Sequence, residues 1–352
     1  MSQSIPLALS YDDVLLVPQY SEVESRSDVD LTTKISPTLT LKVPLISTKM
    51  DTVTGVKMAL ALGKLGGLGI LPRFESINSQ ANKVKKVAKS GILAAGAVGV
   101  KAGYLERAEA LVKAGATAIN VDVAHGHMKK TLEATKSLKQ KFGNKITLIS
   151  GIAATYESAV DLYEAGADCL LVGIGVGSTC TTRIMTGFGL PSITSLLETA
   201  KAAKKYKKTF ATDGGVRNSG DIVKTLATGA SAIVSGNLFA GCDEAPGELV
   251  KVKGRKYKRY HGSASFAEKS KHVWMDSSDK NDNYTIQIEG VESLVSYKGP
   301  LKPHVEKILA GVRSGLSYAG ARNIPEFWKR AKFVRITSAG FKENGAHDVL
   351  MT

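Results

Sequence analysis

One pattern occurs three times along the chain and restricts the possible folds more than any other feature of the sequence. An amphipathic stretch ends in Ala-Gly-Ala or Thr-Gly-Ala, and an apolar run follows soon after, at residues 119–122, 170–173 and 233–236. A helix that ends at glycine, a tight turn and a buried strand account for each copy. The repeat therefore predicts an α/β protein in which helices alternate with parallel strands.

Eight short runs rich in Val, Ile, Leu and Ala divide the chain from about residue 44 onward, and this composition is typical of strands buried on both faces. Eight strands with helical crossovers favour a (β/α)₈ TIM barrel over an open sheet. We therefore predict that residues 1–352 form a single catalytic barrel domain. The candidate strands are 44–48, 67–71, 93–99, 118–122, 147–151, 169–173, 209–213 and 232–236.

The alternation of strand and helix breaks off between about residues 243 and 300. This segment contains a basic stretch that resembles a hairpin, and then a polar run at 275–283. Because loops of this length are often active-site lids or linkers, we predict a long flap inserted after the eighth strand. A helix near 303–318 would complete the barrel. The tail, from about 332 to 352, is expected to wrap a neighbouring subunit or to fray.

The composition excludes several classes of protein. No apolar run reaches the length of a membrane span, the first residues show no signal-peptide pattern, and the three cysteines lack disulfide or metal-site spacing. We expect a cytoplasmic protein that does not act at a membrane. The net charge of +15 is explained by solvated lysine-rich helix faces or by anionic metabolites. An aromatic content of 6% makes nucleic acid an unfavoured partner.

A glycine-rich loop at residues 173–183 follows the sixth predicted strand and has the sequence Gly-Ile-Gly-Val-Gly-Ser-Thr-Cys-Thr-Thr-Arg. Alternate glycines let a backbone turn tightly and approach a ligand closely, and backbone N–H groups in such loops bind phosphate. A thiol beside these N–H groups and Arg183 is in a setting that favours thiolate. The loop therefore predicts that Cys180 is a covalent nucleophile. Cys169 and Cys242 are expected to be buried as small hydrophobic residues.

Ordered motifs over nearly the whole chain resemble those of the family that comprises IMP dehydrogenase and GMP reductase. The resemblance implies a purine nucleotide as substrate, a nicotinamide cofactor and assembly into a homotetramer. Besides the glycine-rich loop, the motifs that carry it lie at 10–18, 25–29, 50–54, 213–217, 219–222, 246–248 and 297–300.

The resemblance also implies catalytic and substrate-binding roles. Cys180 would attack C2 of the purine, Thr182 would help to activate the group that leaves or attacks at C2, and Glu289 would act as acid and base. Several further residues would bind the ribose and phosphate of the nucleotide. They are Ser178, Asp213, Gly215, Gly236, Asn237, Tyr260 and Gly262.

For the cofactor, NADPH or alternatively NAD, the resemblance implies contacts with Asp122 and Ala124. It also implies a possible potassium ion, held by backbone carbonyls of the glycine-rich loop. These carbonyls belong to Gly175, Gly177 and Cys180.

Four polar residues, two of them histidines of the segment that follows Asp122, also have an interpretation that involves no ligand. Asp122, at the end of a strand, suits the N-cap of the next helix. His125 and His127 suit structural positions in a turn. Glu289 suits a solvated loop carboxylate.

Two activities of the family remain open. In the dehydrogenases an Arg-Tyr pair of the flap activates water, and the corresponding segment here, 277–284, lacks that pair. The regulatory modules usual in the dehydrogenases have no room between the second and third strands. We therefore expect a GMP reductase. IMP dehydrogenase is the alternative, because 333–337 and His347-Asp348 are dehydrogenase-like.

Two other functions are also open. One is a non-catalytic barrel that binds nucleotide or RNA, suggested by the charge and by Pro72 and Ile152, which depart from the family's pattern. It predicts salt-sensitive RNA binding without turnover. The other is a different phosphate-handling barrel enzyme, which leaves the cysteine loop unexplained.

Overall fold

The computed structural model describes residues 5–262, 264–266 and 288–345. In this part of the chain the strands are β1 (Val14–Leu16), β2 (Thr33–Ser36), β3 (Leu39–Leu41), β4 (Leu45–Ser47), β5 (Leu68–Leu71), β6 (Ala95–Val98), β7 (Ala118–Val121), β8 (Thr147–Ala153), β9 (Cys169–Val172), β10 (Thr209–Asp213), β11 (Ala232–Ser235), β12 (Leu249–Val252), β13 (Arg255–His261), β14 (Glu292–Ser296) and β15 (Phe333–Arg335). The helices are α1 (Val56–Lys64), α2 (Ile77–Ala88), α3 (Tyr104–Lys113), α4 (Lys129–Phe142), α5 (Tyr156–Glu164), α6 (Thr182–Thr186), α7 (Ser192–Tyr206), α8 (Ser219–Ala227), α9 (Asn237–Ala240), α10 (Leu301–Tyr318), α11 (Ile324–Arg330) and α12 (Ser338–Lys342).

Strands β4 to β11 form a closed barrel of eight parallel strands. Each strand pairs with the next one along the chain, and the ring closes where Ile233 of β11 pairs with Leu45 of β4. The predicted (β/α)₈ barrel is confirmed, and each observed strand overlaps its predicted range. All four residues of β5, β6, β7, β9 and β11 are buried, as expected for strands covered on both faces.

The repeated glycines end helices as predicted. The φ angle is +101° at Gly115, +106° at Gly166 and +100° at Gly229, a conformation that L side chains rarely adopt. These glycines follow α3, α5 and α8 and lead into β7, β9 and β11. The repeat therefore sets the connection between each of these helices and the strand that follows it.

The segment between β5 and β6, residues 72–94, contains the single helix α2. Inserted regulatory modules are thus missing at this point of the barrel. A different insertion follows β11: β12, β13 and β14 form an antiparallel sheet of three strands, which includes the predicted hairpin as β12 and β13. Residues 263 and 267–287, and with them the 277–284 segment, lie outside the described residues. The helix predicted near 303–318 is observed as α10.

The C-terminal tail packs on the start of the same chain. Strand β15 pairs antiparallel with β1, from Phe333 with Leu16 to Arg335 with Val14. The expectation of a frayed tail is therefore wrong for these residues, because the pairing satisfies backbone groups of both segments. Residues 346–352 lie outside the described part of the chain, and no helix within that part is long and apolar enough to cross a membrane.

Candidate active site

Three side chains form a continuous hydrogen-bonded chain that begins in the loop after β9 and ends at Glu289, just before β14. The Sγ atom of Cys180 lies 3.1 Å from Oγ1 of Thr182, and Oγ1 of Thr182 donates to Oε2 of Glu289 at 2.6 Å. A threonine hydroxyl has one hydrogen to donate. Since that hydrogen is given to Glu289, the thiol of Cys180 must donate to Thr182. The arrangement therefore provides a path for a proton from the thiol to the carboxylate.

Backbone pairing brings Glu289 to the cysteine loop across a large separation in sequence. Cys180 forms an antiparallel bridge with Gly290, the amide of Thr181 donates to the carbonyl of Glu289 at 2.9 Å, and the amide of Val291 donates to the loop at 3.0 Å. A Cβ atom on Gly262 would lie 3.2 Å from the Cα atom of Gly290, so the segments approach closely. The insertion after β11 thus supplies one wall of the site.

The three cysteines differ in their surroundings. Cys169 and Cys242 are buried, as predicted, and burial raises the pKa of Cys169 to about 12 and that of Cys242 to about 11. Cys180 is partly exposed and contacts Thr182. Because a thiolate is the reactive form, Cys169 and Cys242 are unsuited to nucleophilic attack at neutral pH.

Most of the residues predicted to bind the nucleotide meet around this loop. Asp213 ends β10, and Gly215 packs on the loop, since a Cβ atom there would lie 3.2 Å from the carbonyl oxygen of Val176. A Cβ atom on Gly262 would lie 3.2 Å from Oγ1 of Thr179 in the same loop. Ser178 lies on the loop itself and is exposed.

Gly236, Asn237 and Tyr260 meet at the end of β11. A Cβ atom on Gly236 would overlap the hydroxyl of Tyr260, so only glycine leaves room for this ring. Burial raises the pKa of Tyr260 to about 12, and its hydroxyl therefore stays protonated and can donate a hydrogen bond. Asn237 is half-buried at the first position of α9. Tyr260 also hydrogen-bonds the side chain of Thr179, which connects this group to the cysteine loop.

The two residues predicted to contact the cofactor follow β7. Asp122 is buried immediately after the strand, whereas Ala124 is exposed. Helix α4 begins at Lys129 after Met128, so the N-cap interpretation of Asp122 is wrong. His127 hydrogen-bonds Asp161 at 2.7 Å, which ties this loop to α5. Burial and the neighbouring His127 hold the pKa of His125 below its usual value.

A network of four charged side chains crosses the mouth of the barrel. Lys49 contacts Oδ2 of Asp213 and lies 3.8 Å from Oδ1 of Asp122, and Nε of Arg73 lies 3.1 Å from Oδ2 of Asp122. Sequence reasoning gave Lys49 no role. The signal available was a lysine at the end of an apolar strand run, directly before the motif at 50–54.

The chemistry of the glycine-rich loop suits a hard monovalent cation, because backbone carbonyl oxygens are hard ligands. Gly177 already accepts the amide of Cys180 at 3.1 Å, and its carbonyl keeps a second lone pair. Arg183 packs against Gly175 and Gly189, so a bound cation would lie near a guanidinium. Among the described residues no cluster of three or more His, Cys, Asp or Glu side chains is suited to a metal ion.

Comparison with known proteins gives one consistent family. Residues 8–347 match the model of the IMP dehydrogenase / GMP reductase domain. Inosine-5′-monophosphate dehydrogenase of Nitrosopumilus maritimus is 33% identical, over 97% of this chain and 98% of the relative. The Aquifex aeolicus enzyme of the same name is 34% identical, over 100% of this chain and 98% of the relative. Both alignments are longer than this chain, so segments of these relatives have no counterpart in it.

A solved structure is similar over the full length. The C→A variant of GMP reductase from Trypanosoma brucei, in complex with guanosine 5′-monophosphate, superposes with a TM-score of 0.93 at 29% sequence identity. The match covers 99% of this chain and 99% of that one. The similarity thus extends over the barrel and the segments that border the site.

Proposed function

The chain belongs to the IMP dehydrogenase / GMP reductase family, and on this basis we propose that it is a GMP reductase, which converts GMP and NADPH into IMP, ammonia and NADP. The family places it among the oxidoreductases that act on purine nucleotides. The observation that carries the proposal is the hydrogen-bonded chain from Cys180 through Thr182 to Glu289, with distances of 3.1 and 2.6 Å. It joins a nucleophile to an acid–base group.

The residues present support a balanced sequence of bond changes. The thiol proton passes through Thr182 to Glu289, and the thiolate of Cys180 attacks C2 of GMP. A C–S bond forms, the bond from C2 to the amino nitrogen breaks, and Glu289 returns a proton through Thr182 so that ammonia leaves. NADPH, when bound, supplies the hydride that C2 accepts. The C–S bond then breaks, IMP leaves, and the released thiolate of Cys180 takes up one proton from water, which restores the starting thiol.

The binding residues suit the parts of the two ligands. A carboxylate accepts hydrogen bonds from a ribose diol, which suits Asp213 for the nucleotide and Asp122 for the riboside of the cofactor. Glycine N–H groups and the Tyr260 hydroxyl suit the phosphate. We assign a possible K⁺ to the carbonyls of the glycine-rich loop.

Two observations favour the reductase. The flap sequence at 277–284 lacks the Arg-Tyr pair with which the dehydrogenases activate water, and lysine does not reproduce the planar geometry of arginine. The full-length structural match to a GMP reductase also supports this direction of reaction.

IMP dehydrogenase is the second candidate function, because the two relatives described above carry that name at 33% and 34% identity. Cys180 would then attack C2 of IMP, the adduct would lose a hydride to NAD, and water would release XMP and the thiol. We also propose that this protein assembles into a homotetramer. Light scattering should then give a mass four times that of one chain.

A substrate assay distinguishes the two reactions. Purified protein is incubated with GMP and NADPH, and separately with IMP and NAD, while the absorbance of the reduced nicotinamide is followed. A fall in the first mixture is expected for a reductase. A rise only in the second assigns a dehydrogenase, and no change in either, with salt-sensitive RNA binding, assigns a non-catalytic barrel.

A further inference from the structure

Lys49 is a buried cation between two carboxylates at the C-terminal mouth of the barrel. Its side chain is 6% exposed, and those of Asp122 and Asp213 are 10% and 14% exposed. Lys49 lies just after β4, whereas Asp122 follows β7 and Asp213 ends β10. The ammonium therefore connects three strands that are not neighbours in the barrel.

The charges of this network balance. Lys49 and Arg73 carry two positive charges, and Asp122 and Asp213 carry two negative ones. Burial alone lowers the pKa of Lys49, but the carboxylates of Asp213 and Asp122 outweigh burial and leave its pKa above the ordinary value. Lys49 is therefore charged at neutral pH, and removing it leaves an excess negative charge in a poorly solvated place.

We propose that Lys49 is a positioning residue that balances the charge of Asp213 and holds it turned toward the ribose of the nucleotide, and that joins the nucleotide site to the cofactor site at Asp122. The proposal rests on the proposed function in one respect, the assignment of the nucleotide to Asp213. It holds for GMP and for IMP alike, because both carry the same ribose.

The geometry explains how one lysine performs this task. Lys49 binds Oδ2 of Asp213, which leaves Oδ1 to accept ribose hydroxyls. The same ammonium lies 3.8 Å from Asp122, whose other oxygen accepts from Arg73. Without Lys49, Arg73 is the one cation left in this network among the described residues, and the loss of a counter-charge favours the neutral form of a buried carboxyl group. A protonated Asp213 has fewer lone pairs for the ribose.

The pH dependence of nucleotide binding separates this role from a merely structural one. Among the described residues, the charged groups of this network are Lys49 after β4, Asp122 after β7 and, beyond it, Arg73 after β5. The neutral hydroxyl of Tyr260 on β13 also lies near Asp213. In the Lys49→Met variant, Asp213 takes up a proton as the pH falls, so binding weakens at low pH and recovers at high pH.

The experiment measures the dissociation constants of GMP and IMP by calorimetry for the wild type, Lys49→Met, Lys49→Arg and the control Lys201→Met. Lys201 is 63% exposed and pairs only with the surface residue Glu198 among the described residues. At about pH 6 we expect Lys49→Met to bind either nucleotide about tenfold or more weakly than the wild type, with a smaller difference at about pH 8.5. Lys201→Met should follow the wild type, and Lys49→Arg, which keeps the charge, should show the same ratio to the wild type at both pH values.

Each outcome decides the proposal. A ratio of Lys49→Met to wild-type dissociation constants that is the same at both pH values overturns it and leaves the proposed function intact. A wild type that binds neither nucleotide overturns both. Thermal unfolding is recorded for each variant, and if Lys49→Met does not fold, Lys49→Gln, which keeps a polar group but no charge, provides the same comparison.

Discussion

At the scale of single residues, the proposed reaction depends on the thiol of Cys180, which is partly exposed, whereas the thiols of Cys169 and Cys242 are buried. Cys180→Ala removes the nucleophile and should lower turnover by about a thousandfold or more, because no other group of the site can form the adduct. Nucleotide binding should persist, since the residues around Asp213 and Tyr260 are unchanged. Steady-state rates and calorimetry of GMP binding measure the two effects.

The matched control is Cys169→Ala, which changes a buried cysteine at the start of β9. It should cost about 1 kcal/mol in the free energy of unfolding and leave turnover near the wild-type rate. Normal turnover in Cys180→Ala would contradict covalent catalysis through this residue.

Glu289 is predicted to move the proton that the amino group needs in order to leave. Glu289→Gln keeps the shape and an acceptor for Thr182 but cannot carry a proton, so kcat should fall about 10²- to 10⁴-fold, with a much smaller change in KM. Glu292→Gln on the neighbouring strand β14, where the side chain is exposed, is the control. An unchanged kcat in Glu289→Gln would restore the interpretation of Glu289 as a solvated carboxylate.

The sequence indicated the nucleophile but not its electrostatic surroundings. The glycines and hydroxyls around Cys180 pointed to a reactive loop from local chemistry alone. The ion pairs of Lys49 were not predicted, because its partners, Asp122 and Asp213, are distant in sequence and come together only in the closed barrel. A charged residue beside an apolar run has no distinguishing local pattern.

At the scale of secondary-structure elements, the end of β11 and the sheet β12–β14 fit together through Gly236 and Tyr260. In Gly236→Ala the new methyl group would overlap the Tyr260 hydroxyl. This overpacking should cost about 1–3 kcal/mol in the free energy of unfolding. It should also raise the KM for nucleotide, because Tyr260 must move away.

Chemical unfolding and initial-rate kinetics measure these effects. Gly340→Ala in the exposed helix α12, where a Cβ atom would lie 3.5 Å from Ile336, is the control. It should leave KM unchanged and should not lower the free energy of unfolding, because alanine suits a helix better than glycine. Gly236→Ala with unchanged stability and KM would show that β11 and β13 do not depend on this contact.

The elements themselves differed in how well the sequence predicted them. The barrel strands are buried on both faces and follow helices that end at glycine, so composition and local periodicity located all eight. The pairing of β15 with β1 was not predicted, because it joins the two ends of the described chain and short half-exposed strands carry little pattern. The contact of Glu289 with the cysteine loop is equally non-local, and only the family resemblance pointed to it.

At the scale of the whole molecule, the proposed reaction removes the amino group from a purine nucleotide while NADPH is oxidised. The barrel places Cys180, Asp122 and Asp213 at the same end, where strands β9, β7 and β10 finish. The insertion after β11 adds Glu289 and Tyr260 from one side. Both candidate reactions use these residues, so an assay of the substrates consumed and the products released is needed to distinguish them.

The most direct test measures ammonia and NADP together during incubation with GMP and NADPH. For the proposed GMP reductase reaction we expect one ammonia released for each NADPH oxidised, with IMP as the purine product. We expect no ammonia from Cys180→Ala. NADPH oxidation without ammonia, or ammonia release that persists in Cys180→Ala, would contradict it. So would a wild type that is inert with GMP and NADPH but reduces NAD with IMP.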